Sequence, residues 1–186
     1  MALTPSTMLP LGTPAPDFAL LDTVGGDTLR FADVAGDKGT VVMFICNHCP
    51  YVKHLEHDFG PLARSYMARG IGFVAISAND AQTYPQDGPE AMRDNARRLD
   101  WPFPYLYDDS QDTARAYQAA CTPDFFVFDA QGECAYRGQY DASRPGNEHP
   151  VTGADLRAAL DALLRGEAPG TGQTPSVGCN IKWKDA

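Results

Sequence analysis

The chain has 186 residues, 44% of them hydrophobic, with 15 Lys and Arg against 24 Asp and Glu, a formal net charge of −9 at pH 7. That length and apolar content support one packed domain and exclude wholesale disorder. An acidic chain with no stretch approaching a membrane span points away from nucleic acid and membrane as partners.

Met1 to Pro16 has neither a basic n-region nor a long apolar h-region. No signal peptide is therefore expected, and a cytoplasmic location follows by default. This Pro- and Thr-containing segment reads as an arm over the surface. Asp17 to Asp22 and Thr28 to Phe31 flank Gly25-Gly26, which predicts a β-hairpin. Thr40 to Ile45 is a continuous apolar, β-branched run, as in a central strand buried on both faces. From Pro50, Val52, Leu55, Phe59, Leu62 and Tyr66 recur at helical spacing, which predicts a helix to about Arg69, kinked at Gly60-Pro61 and closed by Gly70. Ile71 to Ser77 is a second buried strand, followed by a polar loop to Gly88. A helix to about Leu99 starts at Pro89, a short strand ends at Tyr107, and Asp109 to Ala120 reads as helix. After Pro123, Asp124 to Asp129 is an apolar strand that turns at Gln131-Gly132 into a second strand from Cys134 to Arg137. Thr152 to Asp155 resembles a capping box ahead of a Leu-lined helix ending at Gly166. Ala168 to Gly178 reads as a Pro/Gly-rich linker to a tail, Cys179 to Trp183.

This order predicts one α/β domain over residues 1–186: a central mixed β-sheet flanked by helices, with an N-terminal hairpin extension, an arm over 1–16 and a tail over 166–186.

The five cysteines, at 46, 49, 121, 134 and 179, are too few and too scattered for a secreted disulfide scaffold. A close pair in a reducing compartment is more often catalytic or metal-binding than structural. Cys46-Asn47-His48-Cys49 falls where the central strand ends and the helix begins. There the free N–H groups and positive dipole end of the helix stabilise a thiolate, and the thiolate is the nucleophile.

A strand ending in C-x-x-C at a helix start, with Thr122-Pro123 opening a later strand, resembles the thioredoxin fold. The preceding hairpin, and the insertion before Thr122-Pro123, are similar to its redoxin branch, which holds the thiol-specific antioxidant and alkyl hydroperoxide reductase proteins. Phe44 to Val52, Cys121 to Phe126 and Gly178 to Trp183 together resemble a peroxiredoxin-like group of that superfamily. The resemblance implies a thioredoxin-like fold, Cys46 as attacking thiolate, Cys49 as resolving thiol and Pro123 as a cis proline beside them. It implies thiol–disulfide exchange through a redox-active Cys46–Cys49 disulfide, without a cofactor. Protein or small-molecule disulfides would be the substrates, with a thiol reductant such as thioredoxin or glutathione as electron donor; a monomer or homodimer fits equally.

His48, just before the second cysteine, can donate to the thiolate and make the disulfide more oxidising. The expected potential lies above thioredoxin's, about −270 mV. The first alternative is a thiol-dependent peroxidase acting as an antioxidant on peroxides. Peroxiredoxins place a peroxide-binding threonine three residues before the cysteine. Here Met43 holds that position relative to Cys46, and Cys46 holds it relative to Cys49, so neither register supplies the hydroxyl. The second alternative is a metal-binding scaffold using the C-x-x-C pair with His54 and His57. Those histidines follow too closely for a finger, and with Lys53 and Glu56 they read as a solvated helix face, so no metal is assigned.

Cys121, two residues before Pro123, is a candidate auxiliary thiol or a small buried residue, the second being favoured. Cys179 is a second candidate auxiliary thiol, on a tail free to dock at the site, to pair between subunits or to stay exposed. Cys134 is assigned to packing. Tyr84 and Asp87 belong to the loop after the second strand, and no spacing forces them to the site. Arg137, Asp141 and Arg144 read as a solvated charged loop.

Overall fold

The apolar run expected at the centre of the sheet is there. In the computed structural model, which describes residues 3–185, every residue from Gly39 to Phe44 is buried. The chain forms β1 (Leu3–Pro5), β2 (Ala19–Asp22), β3 (Thr28–Arg30), α1 (Phe31–Val34), β4 (Gly39–Phe44), α2 (Pro50–Met67) and β5 (Ile71–Ser77). A 3-10 turn over Pro85–Asp87 leads into α3 (Pro89–Arg98), β6 (Tyr105–Tyr107), α4 (Asp112–Ala116), β7 (Cys121–Thr122), β8 (Asp124–Phe128), β9 (Cys134–Gly138), α5 (Ala154–Leu164) and β10 (Val177–Asn180).

Seven strands form one mixed sheet in the order β3-β2-β6-β5-β4-β8-β9. Its middle pairs, β4 with β5 and β5 with β6, are parallel, and the flanking pairs are antiparallel. Because side chains alternate across a strand, β4 feeds two cores. Val41 and Met43, continued by Ile45, meet Val52, Leu55, Phe59 and Leu62 of α2 and Leu156 and Leu160 of α5. Val42 and Phe44 meet Phe126, Phe128 and Tyr117 on the other face. Each such large side chain contributes about 1.5–3 kcal/mol by burial. This double packing fixes the end of β4, where the cysteine pair begins. Among the described residues, no helix is long and apolar enough to cross a membrane.

Several expectations change. The arm and the tail are parts of a second, three-stranded antiparallel sheet, β1-β10-β7, in which Leu3 pairs with Cys179 and Cys179 with Thr122. β10 takes only Val177 and Gly178 from the end of the Pro/Gly-rich linker, and 168–176 form no helix or strand. The helix expected over Asp109 to Ala120 shortens to α4, because Gln111 (φ 67) and Gln118 (φ 54) adopt left-handed conformations on either side. α2 ends at Met67, two residues before the expected Arg69, with Pro61 inside it. Thr152 does not cap α5: the N-cap is Gly153 (φ 63), and the buried Asp141 carboxylate accepts the Thr152 and Gly153 amides at 2.7 Å each. Asp141 and its neighbours are therefore no solvated loop. Arg144 donates to Gln139 Oε1, and Arg137 donates to the Leu9 carbonyl. Glu56 is likewise buried rather than solvated, pairing with Arg98 at 3.3 Å.

Candidate active site around Cys46 and Cys49

The end of β4 delivers Cys46, and the helix start fixes Cys49. Cys49 is the N-cap of α2, in extended conformation, with Pro50 at the first helical position, where its missing N–H costs nothing. Both cysteines are buried, Cys46 being 2% exposed and Cys49 0%. Thr122, one residue before a cis Pro123, reaches both: its hydroxyl lies 3.5 Å from Cys46 Sγ and its carbonyl 3.2 Å from Cys49 Sγ. The structure thus brings Cys46, His48, Cys49, Thr122 and Pro123 together.

Cys179 joins them. Its Sγ lies 2.8 Å from Cys49 Sγ, and it is buried rather than exposed on a mobile tail. Its strand reaches the site because residue 178 is glycine, where a Cβ would sit 2.0 Å from the Thr122 carbonyl oxygen. Cys121 turns away, its Sγ facing the Pro123 carbonyl at 3.6 Å, and burial pushes its thiol far up. Cys134 faces the Tyr136 carbonyl at 3.7 Å and is pushed up to about 11 by burial. Both are packing residues in this structure.

The two sulfurs titrate together, because a charge on one disfavours a charge on the other. The Cys46 thiol donates toward Cys49; the Cys179 thiol, the Thr122 hydroxyl and the Val52 amide add to this, so Cys49 titrates at about 5 in spite of its burial. Cys46, as the donor, buried and facing the Asp87 carboxylate, is pushed well above the ordinary thiol range. The donors gathered around the N-cap sulfur outweigh its burial.

Asp87 is the residue that sequence reasoning left unplaced. Its carboxylate is 0% exposed and accepts four hydrogen bonds. The Asn47 amide donates at 2.8 Å, the His48 amide at 3.3 Å and Asn79 Nδ2 at 2.9 Å, while His48 Nδ1 lies 2.5 Å away. Asn47 is held further by the Tyr105 hydroxyl on its Oδ1 at 3.2 Å and by its own Nδ2 donating to the Gln86 carbonyl at 2.8 Å. Tyr84 stacks on His48 with ring centroids 5.4 Å apart and planes within 4°. So Nδ1 of His48 engages Asp87 rather than a sulfur, contrary to the donation expected from sequence.

Cys46, His48 and Asp87 bring ligand-type atoms within 4.8 Å of one another, in place of the set with His54 and His57 weighed from sequence. An ion there would have to displace the short contact between His48 Nδ1 and Asp87 and compete with three other donors to that carboxylate. The group reads as a hydrogen-bonded clasp on the Cys46–Cys49 turn.

The AhpC/TSA family model matches residues 11–137, a span that contains β4, the cysteine pair and Pro123. No curated protein matches the chain significantly. Among solved structures, an uncharacterized conserved protein from Geobacillus kaustophilus is similar at 55% identity, with a TM-score of 0.98 over 100% of this chain and 98% of that one. A hypothetical protein from Sinorhizobium meliloti 1021 is similar at 45% identity, with a TM-score of 0.96 over 98% of this chain and 100% of that one. A thiol:disulfide interchange protein of the thioredoxin family from Chlorobium tepidum TLS shares the fold at 20% identity, with a TM-score of 0.63 over 82% of this chain and 97% of that one. With more than half of its length inside the family model and a thioredoxin-like architecture around the cysteine pair, this chain belongs to the AhpC/TSA family.

Proposed function

We propose that the protein is a thiol–disulfide oxidoreductase working through the Cys46–Cys49 dithiol. The observation that carries this reading is the geometry of the pair, two buried sulfurs at the end of β4 and the N-cap of α2, both within 3.5 Å of Thr122 beside the cis Pro123. When a substrate disulfide meets Cys46, the Cys46 proton passes to Cys49, and Cys46 Sγ attacks one substrate sulfur. A mixed disulfide forms, and the other substrate sulfur leaves as a thiolate, which takes a proton. Cys49 then attacks Cys46 Sγ, closing the Cys46–Cys49 disulfide and releasing the second substrate thiol. The substrate gains two electrons and the pair loses two. Protein or small-molecule disulfides are the substrate class in this direction, and a thiol reductant such as thioredoxin or glutathione returns the pair to the dithiol.

The test is reaction of the reduced protein with oxidised glutathione, followed by acid quench, alkylation and mass analysis. The wild type should form an intramolecular Cys46–Cys49 disulfide. Cys49→Ser should stall with one glutathione on Cys46, and Cys46→Ser should lose turnover. Wild-type turnover in Cys46→Ser, or glutathione trapped on another cysteine, overturns the reading.

One contact favours a second reading, peroxide reduction. The Thr122 hydroxyl, 3.5 Å from Cys46 Sγ, offers the group that the motif lacks three residues before the cysteine. Stopped-flow oxidation by hydrogen peroxide decides between them. A rate orders of magnitude above that of a free thiol, lost in Cys46→Ser, favours the peroxidase; an ordinary thiolate rate leaves disulfide exchange.

A further inference from the structure

Cys49 has a sulfur neighbour besides Cys46. Its Sγ is 2.8 Å from that of Cys179. Cys179 is fixed from both sides, since β10 pairs with β1 through Leu3 and with β7 through Thr122. Thr122 is also the residue that touches both members of the pair. Lys182 runs back along the same segment, its ammonium held by Asn180 Oδ1 at 3.1 Å and the Asn180 carbonyl at 2.7 Å, and it favours a Cys179 thiolate. Among the described residues, Cys121 and Cys134 have no sulfur contact of this kind, their Sγ atoms lying 3.6 Å from the Pro123 carbonyl and 3.7 Å from the Tyr136 carbonyl.

We propose that Cys179 is a second disulfide partner of Cys49, so that the disulfide made between Cys46 and Cys49 is handed on to Cys49 and Cys179. The proposal rests on the disulfide-exchange reading above. Cys179 Sγ attacks Cys49 Sγ; the Cys49–Cys179 bond forms, the Cys46–Cys49 bond breaks, and Cys46 leaves as a thiolate that takes up the proton given up by Cys179. No electron enters or leaves. The result is a protein that holds its oxidising equivalent deep in the fold, on β10, with Cys46 returned to the thiol. In the dithiol state burial pushes the Cys179 thiol up to about 12, and the neighbouring Cys49 adds to this. Once Cys49 is tied up in a disulfide, that second cause disappears, and Cys179 is easier to ionise there than in the dithiol state, with Lys182 favouring the thiolate.

The test uses full-length Cys46→Ser, reduced, treated with one equivalent of diamide, acid-quenched, alkylated and digested with trypsin. Cys49 then falls in the peptide 39–53 and Cys179 in 166–182. The expected result is these two peptides joined, with the four remaining thiols falling to two. The wild type is mapped alongside, free of any folding effect of the substitution. It should show the same joined peptides together with the internal Cys46–Cys49 link, and Cys179→Ser should show the internal link alone. If the wild type forms the Cys46–Cys49 disulfide and neither it nor Cys46→Ser joins 39–53 to 166–182, the relay is overturned and disulfide exchange stands. A wild type that never forms Cys46–Cys49 overturns both.

Discussion

Two carboxyl groups near the thiols are equally buried and oppositely furnished. Asp87, from the loop after β5, and Asp124, the first residue of β8 after the cis proline, are both 0% exposed. Asp87 accepts four hydrogen bonds, two of them from the backbone of the Cys46–Cys49 turn. Neither oxygen of Asp124 has a hydrogen-bond partner among the described residues, and the nearby Ser176 hydroxyl donates to the Gly138 carbonyl instead. Burial pushes Asp124 up to about 7, more than the neighbouring hydroxyls and amides bring it down. Burial alone therefore does not decide what a carboxyl does here; the donors aimed at it decide. Asp87 is a clasp on the Cys46–Cys49 turn, and Asp124 is a carboxyl that burial raises to about 7.

The sharpest way to break this contrast is the pH dependence of stability. Asp124 has its native value raised from an unfolded value near 3.8 to about 7. Between those values the unfolded chain has lost the proton and the native protein keeps it, so the unfolded state binds fewer protons and stability falls as pH rises. The contribution is fully present below about pH 4 and lost above about pH 7, and a rise of this size corresponds to about 4 kcal/mol. Asp124→Asn abolishes that slope. Urea denaturation from pH 4 to 8 should show the wild type losing about 3–4 kcal/mol relative to the variant across the window. Parallel profiles would mean that Asp124 finds donors after all and that the two carboxyls are alike.

Removing the better-furnished carboxyl should cost somewhat less. Asp87→Ala strips the acceptor from the Asn47 and His48 amides and from two side chains. A buried group left without its partner costs about 1–3 kcal/mol, and the half-buried positions of Asn47 and His48 let water replace part of the loss. The expected destabilisation is about 2–3 kcal/mol, read as a drop of about 4–12 °C in the unfolding midpoint of a chain this size. Asp87→Asn should retain more stability, because its carbonyl oxygen still accepts from the two amides. A loss below about 0.5 kcal/mol, the size of an ordinary surface substitution, would show that the turn holds itself without the clasp.

What the sequence tells about this site follows the range of its signals. Cys46 and Cys49 were legible because strand and helix patterns meet there: β-branched residues through Ile45, Pro50 at the first helical position, and the stripe from Val52 to Tyr66. Thr122-Pro123 was legible as a dipeptide, and its place beside the sulfurs came from the family resemblance. Asp87 was not, since it lies 40 residues from Asn47 in a loop where no periodicity operates. Cys179 lies 130 residues from Cys49, in a strand of four residues whose partners, β1 and β7, have three and two. Strands that short carry no alternation to detect, so Val177 and Gly178 read as the end of a linker when backbone pairing had made them part of a strand. Glu56 fails for a related reason: a charged residue beside a helix stripe reads as solvated until Arg98 arrives from another helix to cover it.

The smallest predicted effect concerns what else holds His48 against the clasp. Tyr84 stacks on its ring, and the Lys182 ammonium stands 6.0 Å from the Tyr84 ring centroid, tying the loop after β5 to the segment that carries Cys179. Tyr84→Leu keeps an apolar body and loses the stack, at an expected cost of about 0.5–1.5 kcal/mol in urea denaturation. The more telling number is its coupling to Asp87→Ala. Both substitutions release the same imidazole, one from its carboxylate and the other from its aromatic platform, so the double variant should lose less than the two single losses combined, by about 0.5 kcal/mol or more. Additivity within about 0.3 kcal/mol would mean that stacking and clasp act independently. Asp87 would then hold the turn through the Asn47 and His48 amides alone, and the histidine ring would be a bystander to the rigidity of the cysteine pair.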